Sequence, residues 1–158
     1  MNGTSLITAR SNMVVVTVSS YENKRLRGEI YSEHYQKTAQ VNDSLELLFA
    51  MEQLMDSLSF PKIHMEPRTF NPKKGPCSGP KKEAAIMMQT KDEKGEGQRK
   101  ATFVIHVQFR RNASWQGEIR WVDEGKTQIF RSTLEMIKLI DDALESTDDA
   151  DRITWELE

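Results

Sequence analysis

Cysteine is nearly missing from this chain: Cys77 stands alone, so no intrachain disulfide can form and no cysteine-based zinc site exists. Long apolar runs are missing too. Nowhere do about 18 consecutive apolar residues occur, and Met1 to Asn12 holds a single Arg without the apolar stretch of a secretory signal. The expectation is an intracellular, cytoplasmic protein with no membrane partner. Charge of one sign is also lacking, since the net charge of 158 residues is -2. Any attraction to a polyanion must then come from a local patch. Asn2-Gly-Thr and Asn112-Ala-Ser fit the glycosylation pattern by chance, given no secretory signal.

The motifs of most enzymes are absent as well. There is no Gly-x-Gly-x-x-Gly, no Gly-x-x-x-x-Gly-Lys-Ser/Thr phosphate loop, no Gly-x-Ser-x-Gly and no His-x-x-x-His pair. His34, His64 and His106 fall on unrelated segments, and Cys77 has no local base to activate it. The acidic cluster Asp141, Asp142, Asp148, Asp149 and Asp151 lacks the glycine and closing Glu of a calcium loop. A non-enzymatic protein without metal or cofactor is the reading these absences favour.

What is present is an internal similarity. Laying Val14 to Ser57 on Phe103 to Ser146 without a gap, an offset of 89 residues, gives 11 identities in 44 positions. They include Val15/Val104, Gly28/Gly117, Glu29/Glu118, Ile30/Ile119, Thr38/Thr127 and Leu45/Leu134. Substituted positions keep their character, as in Val16/Ile105, Leu26/Trp115, Val41/Phe130 and Met55/Leu144. Two copies of one unit are the expectation.

Phe103-Val-Ile-His-Val-Gln-Phe alternates with period two, which predicts a strand with Phe103, Ile105, Val107 and Phe109 on one face. Arg111-Asn-Ala-Ser is a turn signal, and Trp115 to Trp121 alternates again as a second strand. Asp123-Glu-Gly makes a hairpin turn into Lys126 to Arg131, a third strand. Ser132 then caps a helix with Glu135 three residues on, matching Asp43 and Glu46. Leu134, Ile137, Ile140, Ala143 and Leu144 form its apolar stripe.

The fold class expected is α+β: two tandem β-β-β-α repeats docked with pseudo-two-fold symmetry, antiparallel sheets with helices on one face, and Leu26, Ile30, Trp115 and Ile119 in a shared core. The divisions are an N-terminal extension (1–12), the first repeat (13–60), a linker (61–100), the second repeat (101–147) and an acidic tail (148–158). The linker holds all five prolines, Pro61, Pro67, Pro72, Pro76 and Pro80, and is rich in Lys and Arg. Ala84-Ala-Ile-Met-Met within it reads as a short strand or helical turn, and Ile153 and Trp155 give the tail its own docking residues. Whether the halves pair within one chain or exchange between the chains of a homodimer is left open.

Period-two geometry turns Arg25, Arg27, Tyr31, His106, Arg120 and Arg131 away from the helices, with Arg110 and Arg111 at the end of a strand. A helix-free sheet face carrying guanidinium groups and rings can track phosphates and stack on unpaired bases. The candidate nucleic-acid contacts are Arg25, Arg27, Tyr31, Arg110, Arg120 and Arg131, with Trp121 as a stacking platform. Glu29 and Glu118 share that face and dilute its charge. The alternative is a protein-interaction module using a sheet edge or the region of Trp121.

Thr102 to Trp121, Phe130 to Asp141 and Met65-Glu-Pro-Arg-Thr-Phe together resemble a group of small uncharacterised proteins of Clostridia-type Firmicutes, which implies a bacterial intracellular origin. In element order alone, the duplicated strand-strand-strand-helix unit is similar to PUR-repeat and PC4-like proteins. That similarity implies single-stranded nucleic acid as ligand, although those families place four strands before the helix and carry a more basic sheet.

Overall fold

The structure, a computed structural model, describes residues 12–66, 68–71 and 99–145. The N-terminal extension up to residue 11, most of the linker with Cys77 and residues 84–88, and the acidic tail lie outside the described residues. The chain is α+β, with one six-stranded antiparallel sheet and two helices. In chain order the elements are β1 (Met13–Glu22), β2 (Arg25–Ser32), β3 (Lys37–Val41), α1 (Ser44–Leu58), β4 (Ala101–Phe109), β5 (Gln116–Trp121), β6 (Lys126–Phe130) and α2 (Thr133–Glu145). Among the described residues no helix is long and apolar enough to cross a membrane.

The sheet order is β3-β2-β1-β4-β5-β6, so β1 and β4 meet at the centre and every other neighbour is joined by a hairpin. At the seam Val15 stands opposite Val104. On either side of it, positions 89 apart occupy the same rungs. Val14 pairs with Ser32 as Phe103 pairs with Trp121, and Gly28 pairs with Val41 as Gly117 pairs with Phe130. Even the irregularities correspond, because the register shifts between Val18 and Ser20 in one half and between Val107 and Phe109 in the other.

Both hairpins beside the seam turn tightly through two residues with positive φ, Asn23 and Lys24 in the first and Asn112 and Ala113 in the second. This is the turn geometry whose twist matches that of paired strands. Gly28 and Gly117 are dictated by close approach. A Cβ at Gly28 would lie 2.0 Å from the Thr17 carbonyl oxygen, and one at Gly117 would lie 2.0 Å from that of His106.

One face of the sheet buries Val14, Val16, Val18, Leu26 and Ile30 together with Phe103, Ile105, Val107, Ile119 and Phe130. Both helices lie on that face, and their buried residues join the strands in a single core. Removing a Phe or Leu of this size from water stabilises by about 1.5–3 kcal/mol. The caps form as their sequence spacing implies: Asp43 accepts from the Glu46 backbone N–H at 2.8 Å and Ser132 from that of Glu135 at 3.1 Å.

The expected stripe of α2 holds at Ile137, Ile140, Ala143 and Leu144 but not at its first turn. Leu134 and Leu45 are exposed, whereas Met136 and Leu47 are completely buried. A helix lying over a twisted sheet contacts it through a broad arc. Residues beside the nominal stripe then decide which way it rolls. Asn12, placed with the extension by sequence, is buried, and its amide donates to the Val107 carbonyl.

Candidate nucleic-acid interface

The face opposite the helices carries no packed element among the described residues. Its middle row runs in register from Thr38 through Tyr31, Val15, Val104 and Arg120 to Thr127. The six side chains come from all six strands. Alternation puts the inner four there: Tyr31, Val15, Val104 and Arg120 neighbour residues buried on the other side, Ile30, Val14, Phe103 and Ile119. Arg120 is exposed, and Tyr31, Val15 and Val104 are half-buried by their neighbours in the row.

Arg25 and Arg27 extend the same face toward the tip of the β1–β2 hairpin, where they border a shallow depression with Ser20, Glu22 and Asn23. Among the described residues no ion pair engages Arg25, Arg27 or Arg120. The acidic residues Glu29 and Glu118 are exposed on the same face. Glu29 accepts from the Gln40 amide, and Glu118 stands between His106 and Ile129 in the ladders.

Three of the expected contacts are placed elsewhere. Arg110 turns to the helix side and is 5% exposed. Its Nε donates to the Pro61 carbonyl at 2.7 Å, and Nη1 reaches Asp56 at 2.7 Å and Glu52 at 3.5 Å on α1. It is a structural guanidinium, removed from the open face by the bulge that precedes it. Arg131 lies beyond the end of β6 and pairs with Glu135 of α2 at 3.2 Å, an exposed i,i+4 pair. Trp121 is on the helix side, stacked on Phe103 with centroids 6.3 Å apart, and its indole nitrogen is buried. It serves the core rather than the open face.

The acidic side chains around Arg110 form a small network. Trp115 Nε1 donates to Glu52 at 2.9 Å. Desolvation holds the Glu52 carboxyl above its ordinary range, opposed by the Arg110 charge. In the other half, Tyr21 donates to Asp141, and Lys24 bridges Asp141 at 3.0 Å and Glu145. Burial, then the bond to Asp141 and its charge, push the Tyr21 phenol upward. Each hairpin thus grips the helix of the opposite half. The partners correspond: Tyr21 with Arg110, Asp141 with Glu52 and Glu145 with Asp56, all 89 apart.

Phe109 was expected in the core with Phe103, Ile105 and Val107. The bulge at Gln108 inverts the alternation, so Phe109 sits beside Gln116 and is 45% exposed. The Arg111 guanidinium lies over its ring, 4.6 Å from the centroid. The signal was in the first half, where the corresponding residue is Ser20, a polar residue at the place where strict alternation demands an apolar one.

No family model matches this chain, and neither a curated protein nor a solved structure matches it.

Proposed function

We propose that this chain is a non-enzymatic binding protein whose helix-free sheet face takes single-stranded nucleic acid. The observation that carries the reading is the row Tyr31-Val15-Val104-Arg120, a ring, an apolar floor and a guanidinium in one line, beside Arg25 and Arg27 that no carboxylate neutralises by an ion pair among the described residues. Rings stack on unpaired bases without regard to sequence, and guanidinium groups meet phosphates. A duplex presents its bases edge-on and offers such a floor nothing to stack.

The same reading takes the two halves as tandem copies of one β-β-β-α unit, related by a pseudo-two-fold axis through the Val15/Val104 pair. Matched ladders, matched bulges and the two hairpin-to-helix grips support it. Strand addition by a protein partner is the second reading, favoured by one observation: Ile129 on β6, at the sheet's edge, is 72% exposed.

The test is a fluorescence-anisotropy titration of single-stranded and duplex oligonucleotides at two salt concentrations, with wild type and the double variant Arg27→Ala/Arg120→Ala. Salt-sensitive binding that favours single strands is expected, with a salt slope about 0.7 smaller for each phosphate contact removed. Absence of binding at low salt, or a double variant that binds like wild type, would overturn the reading. Binding that ignores salt points to the edge.

A further inference from the structure

We infer that Phe109 and Arg111 form a second base-stacking station, and that the nucleic acid runs across the sheet from the Arg25/Arg27 corner to this one. The inference rests on the binding reading above and adds to it a site, a direction and a length. Phe109 presents a half-open ring on the same face as Tyr31 and Arg120, and Arg111 lies across it. A guanidinium over a ring is a ready-made stack, into which a base inserts or onto which it adds.

The station is built on a fixed turn. The Arg111 backbone N–H donates to Gln116 Oε1 at 3.0 Å, and Gln116 Nε2 donates back to the Arg111 carbonyl at 2.9 Å. Next to it, the segment after α1 lies alongside the end of β4, with Ile63 bridged to Arg110 and the His64 N–H bonded to the Arg110 carbonyl at 3.3 Å. Exposed Lys62 and His64 flank that bridge. In the first half the equivalent positions are Ser20 and Glu22, so no such station exists there. One corner supplies paired charges and the other a ring with its cation. A site with unlike ends accepts a strand in one polarity.

The two corners lie at opposite ends of the central strands. From Ser20 back to Met13 and onward from its partner His106 to Phe109 is roughly 30 Å at about 3.3 Å per residue. At about 3.4 Å per stacked nucleotide the path holds roughly nine, and fewer if the strand is extended. This lies within the ~4–16 nucleotides of sheet-based single-strand sites.

The experiment compares oligothymidylates of four and twelve nucleotides on wild type, Phe109→Ala, Phe109→Tyr and Arg120→Ala. Phe109→Ala is expected to lose about tenfold or more in affinity for the 12-mer while binding the 4-mer as wild type does. Phe109→Tyr is expected to keep both. If Phe109→Ala binds the 12-mer unchanged while Arg120→Ala weakens it, the second station is wrong and the sheet-face reading stands. If wild type binds neither length, the sheet-face reading itself has failed and the station falls with it. Phe109 is outside the buried core, and a melting curve of the Ala variant that matches wild type makes the affinity readout independent of folding.

Discussion

The hairpin of the first half and the hairpin of the second grip the opposite helix at the same positions by different chemistry. Tyr21 and Lys24 share the work in one, with Lys24 and its two carboxylates each about a third exposed. In the other, Arg110 does both jobs from a site where it is 5% exposed, with Pro61 and the two carboxylates of α1 around it. The difference teaches that one geometry of grip is met in the two halves by different side chains. It also explains why one arginine is unavailable to a ligand although its neighbour Arg111 is open.

The sharpest way to break the comparison is at the glycines. Gly28→Ala and Gly117→Ala each drive a methyl against a strand carbonyl at 2.0 Å, so both are expected to cost about 3 kcal/mol or more in urea melting. A tolerated substitution in one half alone would show that the halves are not equivalent there.

The grips should differ next. Arg110→Ala leaves Glu52 and Asp56 facing each other beside buried surface and is expected to cost about 3 kcal/mol. Lys24→Ala removes two partly exposed ion pairs and is expected to cost under about 1 kcal/mol, shrinking further at high salt. Equal losses would contradict the difference in burial.

One effect is a gain. Ala113 holds φ 54 in a turn that favours glycine, so Ala113→Gly is expected to stabilise by about 1 kcal/mol in the same assay. Lys24, in the corresponding place, trades that strain for its bonds to α2. Lys24→Gly is accordingly expected to gain nothing net.

Much of this was legible in the residues. The strand order within each half, both helix caps, Trp115 in the core and the hairpin turn at Asp123-Glu-Gly follow from alternation, cap spacing and turn chemistry. What escaped has a common cause: local pattern does not register a bulge or a tertiary contact. Phe109 and Arg110 exchanged faces because one unpaired residue shifts everything after it by one step. Arg131 was placed on a strand that ends one residue earlier, where a carboxylate of the following helix claims it. Trp121 was expected as a stacking platform on the open face, yet its ring stacks on Phe103 on the helix side. Arg25, Arg27, Tyr31 and Arg120 stayed where alternation put them, since no bulge intervenes between them and the core residues that set the phase.

The seam between β1 and β4 bears on how the chain finds its fold. Every other ladder closes through a short connection, as Val14 with Ser32 or Gly117 with Phe130, whereas Val15 meets Val104 across 89 residues of chain. Loop-closure entropy therefore weighs on this one step. The hairpins of each half are local, and substitutions at Val15 or Val104 are expected to quicken unfolding more than they slow folding in denaturant-jump kinetics, as a seam that closes last requires.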